Sequence, residues 1–174
     1  METKRLIIRP IVRDDVDEMY PYMSNEKVME YERSVFTYEE LKNMLTRYEK
    51  DEVFYACILK DSNKLIGHIY LGRTFPQDFN EYTVGYIFNP AYHNQGYCTE
   101  AVKEIISYTF QIKKAHRVTA RCNPKNIASY RVMEKAGFLR EGLLRKRCAF
   151  KKDENDQPIY TDELVYGVLQ EDLR

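Results

Sequence analysis

Gly85-Tyr86-Ile87-Phe88-Asn89-Pro90-Ala91-Tyr92-His93-Asn94-Gln95-Gly96-Tyr97-Cys98-Thr99-Glu100-Ala101 reads as a strand, a tight polar loop and a helix in immediate succession. Tyr86 and Phe88 alternate with smaller neighbours, and Pro90 closes the strand because it cannot donate to a ladder. Asn94-Gln95-Gly96 lets the backbone turn sharply. From Thr99-Glu100 the pattern is helical: Ala101, Ile105 and Thr109 form one ridge, Val102, Ile106 and Phe110 the next. A glycine-bearing turn at a helix N-terminus is an anion cradle, because first-turn N–H groups lack partners and the dipole adds positive charge there. The loop lacks the Lys of a P-loop and holds one glycine where a dinucleotide fingerprint needs three. On the loop alone, phosphate binding and a plain strand–helix turn both stay open.

The organising stretch runs on to Gly142. Arg117 to Cys122 alternates Val118, Ala120 and Cys122 against Arg117, Thr119 and Arg121, a half-buried strand. Asn126 then caps a helix carrying Ile127, Tyr130 and Met133, which Gly137 stops. At this point the sequence resembles a known family. Pro90 to Val102, His116-Arg117-Val118, Asn123-Pro124-Lys125-Asn126-Ile127-Ala128-Ser129 and Glu134-Lys135-Ala136-Gly137-Phe138 look like the GNAT N-acetyltransferases. More narrowly they resemble the RimJ/RimL branch, which acetylates protein N-termini. Glu2 to Pro10 is similar to that branch too, so the resemblance covers almost the whole chain.

Length and composition agree with one such domain over residues 1–174. Lys plus Arg equals Asp plus Glu at 27 each, so no net charge drives the chain onto nucleic acid or an anionic membrane. Cys57, Cys98, Cys122 and Cys148 are too scattered for a zinc site or a disulfide framework and read as reduced thiols of a cytoplasmic protein. No signal peptide or transmembrane span is expected, and the chain is expected to be a monomer or homodimer. His68 and His116 stand apart from any ligand cluster and receive no role.

In order, Arg5 to Pro10 reads as a strand. Asp14-Asp15 starts a helix that Pro21 is expected to break, and Ser24-Asn25 caps a second helix over Glu26 to Tyr31. Met29 to Arg33 leads into a loop. Thr37 and Glu40 form a capping box before Leu41, Met44, Leu45 and Tyr48. Val53–Lys60 and Leu65–Leu71 are strands joined by the Asp61–Lys64 turn, and Arg73–Asn80 is a loop. Strands are expected over Glu81–Phe88, Leu139–Phe150 and Tyr160–Val168, with a charged turn over Lys151–Gln157. A strand–helix–strand unit inside a meander gives an α+β fold. The resemblance makes it a GNAT-like mixed, mostly antiparallel twisted sheet with helices on both faces.

The resemblance also implies a site. Its loop motif, Arg/Gln-x-x-Gly-x-Gly/Ala, falls on His93 to Cys98. It makes His93, Asn94, Gln95, Gly96, Tyr97, Cys98 and Thr99 the cradle for the pyrophosphate of acetyl-CoA, the cosubstrate. His93 replaces Arg or Gln and is expected to donate to phosphate; Cys98 replaces a smaller residue. Cys98 also has a second reading, as a thiol activated by the helix N-terminus. Asn126 and Ser129 match the family's Asn-x-x-Ser. Asn126 would hold the pantetheine arm, and Ser129 would meet the thiolate that leaves when an amine attacks. Met133 occupies the place of the family's common Tyr, so Ser129 is favoured as the acid with Tyr130 as substitute. A backbone N–H at Ile87 or Phe88 would hold the oxyanion. Thr83 stands where the branch often has a Glu, so Glu81, two residues back on the same strand face, is the candidate base, with Glu30 and Glu32 as rivals. The run Arg145-Lys146-Arg147 reads first as a solvated strand edge.

The expected activity is direct acetyl transfer in a ternary complex, without a covalent enzyme intermediate, to a protein or peptide N-terminal amine. The alternatives are a polyamine or aminoglycoside acceptor, for which Glu26, Glu30, Glu32, Glu39 and Glu40 could supply an acidic cleft, and a non-catalytic acetyl-CoA-binding module.

Overall fold

The computed structural model describes residues 1–32 and 34–173. Seven strands form one sheet: β1 (Leu6–Pro10), β2 (Phe54–Leu59), β3 (Leu65–Arg73), β4 (Glu81–Phe88), β5 (Arg117–Cys122), β6 (Leu139–Lys152) and β7 (Pro158–Leu169), ordered β1-β2-β3-β4-β5-β7-β6. Every neighbouring pair is antiparallel except β4 and β5, which run parallel. Parallel strands need a crossover, and α3 (Tyr97–Gln111) supplies it. The other helices are α1 (Val16–Met23), α2 (Tyr38–Tyr48) and α4 (Ile127–Ala136).

The period-two alternation of the strands sorts their apolar residues into two layers. Tyr55, Cys57 and Leu59 of β2 join the layer under α3 and α4; Ala56 and Ile58 join the layer under α1 and α2. Gly67 of β3 is one place where only glycine fits, since a Cβ there would lie 2.5 Å from the ring of Phe88. Helix ends follow their local chemistry. Thr37 Oγ1 accepts from Glu40 N at 3.3 Å and the Glu40 carboxylate accepts from Thr37 N at 2.8 Å, closing the capping box of α2. Asn126 Oδ1 accepts from Ser129 N at 3.1 Å to cap α4, and Gly137 ends it at φ 101°.

Some expectations need correction. Pro21 lies inside α1, which runs on to Met23; one forfeited hydrogen bond is outweighed by burial of Met19, Tyr22 and Met23. Residues 26–31 form turns, not a helix. Asn25 Oδ1 accepts from Lys27 N at 3.0 Å and Val28 N at 3.4 Å, a local alternative to helical bonding. Arg33, the end of the Met29–Arg33 run, lies outside the described residues. Helix α3 opens at Tyr97, before Thr99, because Gly96 turns the chain at once in the left-handed region, φ 80°. Arg73 stays in β3 opposite Tyr82, and Gln77–Phe79 makes a single 3₁₀ turn. At the other edge β6 extends to Lys152, which shortens the charged turn.

Candidate active site

The parallel ladder between β4 and β5 is short: it runs from Glu81↔Arg117 to Val84↔Ala120. Beyond Val84 the strand keeps its antiparallel partner β3, while β5 keeps β7, so the sheet parts into a wedge. Thr74 N donates to Glu81 O at 2.8 Å and Asn89 N donates to Ile66 O at 2.9 Å. The unbroken register between them commits the odd-numbered residues of β4 to β3. Tyr86 and Phe88 therefore aim their backbone groups into the wedge, and Ile87 does not. Of the two N–H groups considered for the oxyanion, only that of Phe88 is available there.

The wedge opens a cleft of about 980 Å³. At one end the loop residues His93, Asn94, Gly96, Tyr97, Cys98 and Thr99 line it. Gln95 turns away: its side chain donates to Ala91 O at 3.2 Å, and its carbonyl accepts from Arg5 Nη1 at 2.9 Å. His93 is also partly spent, because Nε2 donates to Phe88 O at 2.8 Å. Its other nitrogen accepts in the neutral ring and donates only once protonated, which corrects the simple donor expected of it. Arg5 clasps the loop from behind. Its Nε donates to Glu100 Oε2 at 2.7 Å and its guanidinium lies 4.2 Å from the Tyr97 ring centre. Burial works to raise the Glu100 carboxyl, but bonds from Thr3 and Arg5 outweigh it and lower it. Cys98 is half-buried in the first turn of α3, and burial pushes its thiol well up. The thiolate expected from its helix position is disfavoured.

In the middle of the cleft β4 meets α4. Tyr86 Oη donates to Ser129 O at 2.7 Å and accepts from Ser129 Oγ at 3.3 Å. Burial holds the Tyr86 phenol well above its usual range, so it stays protonated. Burial raises the Cys122 thiol to about 11, against a hydrogen bond with the Ser129 side chain. Asn126 and Met133 share this wall, whereas Tyr130 does not line the cleft and packs partly into the layer under α3 and α4.

The candidate bases separate. Glu81 sits outside the cleft, paired with Arg117 Nε at 3.1 Å, because the wedge opens only beyond Val84. Thr83 spends its hydroxyl between Thr74 at 3.2 Å and Thr119 at 3.0 Å. Glu30 is exposed and does not line the cleft. Glu32 does. It keeps over a third of its surface open, yet the cleft wall crowds its carboxyl enough for desolvation to raise its pKa. Asp162 and Glu163 line the cleft as well.

Two cleft residues were missed by sequence reasoning. Tyr86 looked like ordinary strand packing. Glu163 belongs to the polar run Thr161-Asp162-Glu163, which interrupts the alternation of the last strand and was the available signal. The run Arg145–Arg147 lies exposed on the edge strand β6. His68 is buried instead in the layer below α1, with Nδ1 3.0 Å from Tyr22 Oη, and burial lowers it to about 4. Among the described residues there is no grouping of three His, Cys, Asp or Glu suited to a metal, and no helix long and apolar enough to cross a membrane.

A model of the acetyltransferase (GNAT) domain matches residues 5–139. The uncharacterized N-acetyltransferase YnaD of Bacillus subtilis is 40% identical over 172 residues, 98% of this chain and 96% of that protein. A crystal structure of a GNAT-family acetyltransferase from Bacillus anthracis superposes with a TM-score of 0.87 at 36% identity, covering 98% of both chains. A spermidine N-acetyltransferase from Vibrio cholerae, solved with CoA and spermine, shares the fold with a TM-score of 0.79 at 20% identity, over 98% of this chain and 99% of that one.

Proposed function

The chain belongs to the GNAT acetyltransferase family, whose cosubstrate is acetyl-CoA, and from that premise we propose that it transfers acetyl directly to a primary amine, foremost the N-terminal amine of a protein or peptide. The observation that carries this reading is the continuous wedge. It brings the Gly96 loop, Ser129 and the carboxylates of Glu32 and Glu163 into one cavity.

The residues suit the cosubstrate. Gly96 offers no side chain to a phosphate approaching the backbone, and the first-turn amides of α3 at Tyr97, Cys98 and Thr99 are anion donors. Asn126 spends Oδ1 on its cap and keeps its amide N–H₂ for a pantetheine carbonyl. The Phe88 N–H serves the thioester oxygen as it gains charge. Ser129 Oγ, backed by Tyr86, serves the departing sulfur as hydrogen-bond donor or acid. A neutral amine is needed for attack, since an ammonium has no lone pair. Glu32, directly or through water, takes the proton in this reading, a role that Glu81 cannot fill from outside the cleft. Tyr86 takes the supporting place first given to Tyr130.

The cleft fits an acceptor with one positive charge better than a polycation. Of Glu26, Glu30, Glu32, Glu39 and Glu40, only Glu32 lines it; with Asp162 and Glu163 it faces Lys27, Arg121, Arg131 and Lys135 on the same walls, so the cations are not outnumbered. Like charges facing a polyamine oppose its entry.

The first test is thermal stability against acetyl-CoA. A ligand at 100 times its Kd stabilises by about 2.7 kcal/mol, a rise of roughly 5–10 °C for a chain of this size. The native protein should show the rise and Gly96→Glu should lose it. CoA release should then follow addition of N-terminal peptides and not of spermidine. No thermal shift would overturn the loop assignment; release with spermidine alone would overturn the acceptor.

A further inference from the structure

We infer that Glu163 is the group that docks the charged amine of the acceptor, a specificity-determining residue on the β7 wall of the cleft. This rests on the amine-acetylating reading above.

Glu163 lies on β7, opposite Leu144 of β6, and its side chain is only 14% exposed. It lines the cleft. A carboxylate so enclosed needs strong partners, because its charge is costly to bury. Those it has are weak. Arg121 Nη1 stands 3.3 Å from Oε2, a single long contact from a guanidinium whose fork could make two. Cys148 Sγ donates to Oε1 at 3.2 Å, and a thiol is a poor donor. Two oxygens with room for about four hydrogen bonds are thus incompletely served, on the wall where an amine must arrive. Glu81 gives the contrast: its carboxylate meets Arg117 outside the cleft and faces no acceptor path.

Glu163 also sits close to the chemistry along the sheet. Its chain neighbour Leu164 pairs with Cys122 across β5 and β7, and Glu163, Cys122 and Ser129 line the same cleft. A carboxylate held by two strands keeps a fixed direction, which suits docking. Glu32 follows the turns over residues 26–31, its N–H donating to Met29 O at 3.0 Å; its carboxylate has no hydrogen bond or ion pair to another described residue and is left for the proton.

Among the described residues, the charged and titratable groups that adjoin Glu163 or share its cleft are Arg121 and Cys122 from β5, Cys148 and Arg147 from β6, Asp162 beside it on β7, Arg131 and Lys135 from α4, and Lys27, Glu32, Tyr31, Tyr86, Tyr92, His93, Tyr97 and Cys98 along the cleft. Arginine keeps its charge from pH 7 to 9. Burial pushes Cys122 and Cys148 up to about 11, so neither thiol ionises in that range. A peptide N-terminal amine, with a pKa near 7.7–8.0, does lose its charge there.

The test is steady-state kinetics of the native enzyme, Glu163→Gln and Glu163→Asp, with a set of tripeptide amides of differing N-terminal residue, at pH 7 and pH 9. At pH 7 the Gln variant should raise the KM for the amine about tenfold, the scale of a lost hydrogen bond to a charged group, with the KM for acetyl-CoA unchanged. At pH 9 that ratio should fall toward one. The Asp variant should recover part of the loss. An amine KM unchanged in the Gln variant overturns the proposal, and so does a loss equal at both pH values, which would make Glu163 a brace between strands. A native enzyme that acetylates none of the set overturns the acceptor reading itself and this proposal with it; native turnover with an indifferent Gln variant overturns this proposal alone.

Discussion

Ser129 and Tyr86 are joined by two hydrogen bonds across the gap between a strand and a helix. Removing either hydroxyl should therefore slow chemistry more than it weakens binding. Ser129→Ala should lower kcat by roughly 10²-fold, the low end of what a positioned acid supplies, with the acetyl-CoA Kd within about threefold of native. Tyr86→Phe should lower kcat by a smaller factor, since Ser129 keeps its hydroxyl but loses its anchor. Steady-state kinetics with separate titration of acetyl-CoA binding checks both. Equal loss in Kd and kcat would place the pair in binding instead. Ser129 was legible because it sits in Asn-x-x-Ser. Tyr86 was not, because one more aromatic residue in an alternating strand carries no mark of what its hydroxyl reaches.

Helix α4 ties stability to the site through its N-cap residue. Asn126 caps the helix and is also the residue assigned to the pantetheine arm, so Asn126→Ala mixes two effects: about 1 kcal/mol of lost cap and weaker acetyl-CoA binding. Asn126→Asp separates them. The carboxylate keeps the cap on Ser129 N but has no N–H to donate, so thermal stability should hold while the KM for acetyl-CoA rises severalfold. A melting curve and a KM measured together decide it. On β3, Gly67→Ala should cost roughly 1–3 kcal/mol by overpacking against Phe88, read as a lower denaturation midpoint. Elements of this kind were readable in advance where their signals are local. The Thr37–Glu40 box, the Asn126 cap, the Gly137 stop and the Glu81–Phe88 strand all stand as their residues imply. The misreadings at Pro21 and over residues 26–31 have two physical sources. Burial and side-chain bonding to the backbone decided them, and neither is visible as periodicity. That Glu81 falls outside the cleft was hidden for a longer-range reason. Nothing in the order Glu81, Thr83, Gly85 tells where β4 and β5 stop pairing.

For the whole molecule, the layer between the sheet and α1 holds a titration. His68 falls from an ordinary 6.5 to about 4 through burial, so the folded protein resists the proton that the unfolded chain accepts. Stability from this source is fully present above about pH 6.5 and is lost as pH falls toward 4. The loss at the lower end is about 3 kcal/mol, because every tenfold drop in proton affinity corresponds to about 1.4 kcal/mol. Urea denaturation of the native protein and His68→Gln between pH 7 and 4 should show a steeper decline for the native protein. Parallel declines would mean that the carboxylates govern its acid sensitivity.

The clasp of Arg5 on Gln95 and Glu100 has a consequence in time as well as in space. The residues it joins lie 90 and 95 positions apart, so the clasp closes one of the longer loops in the chain, and closures of that span come late because so much chain must be ordered first. Helix α3 can coil on its own local signals, but the turn that opens it is secured only when the first strand arrives. A refolding experiment followed at once by acetyl-CoA binding and by far-ultraviolet dichroism should see helix return first and ligand competence lag behind it. Arg5→Ala should widen that lag, although Arg5 itself is not among the residues that line the cleft.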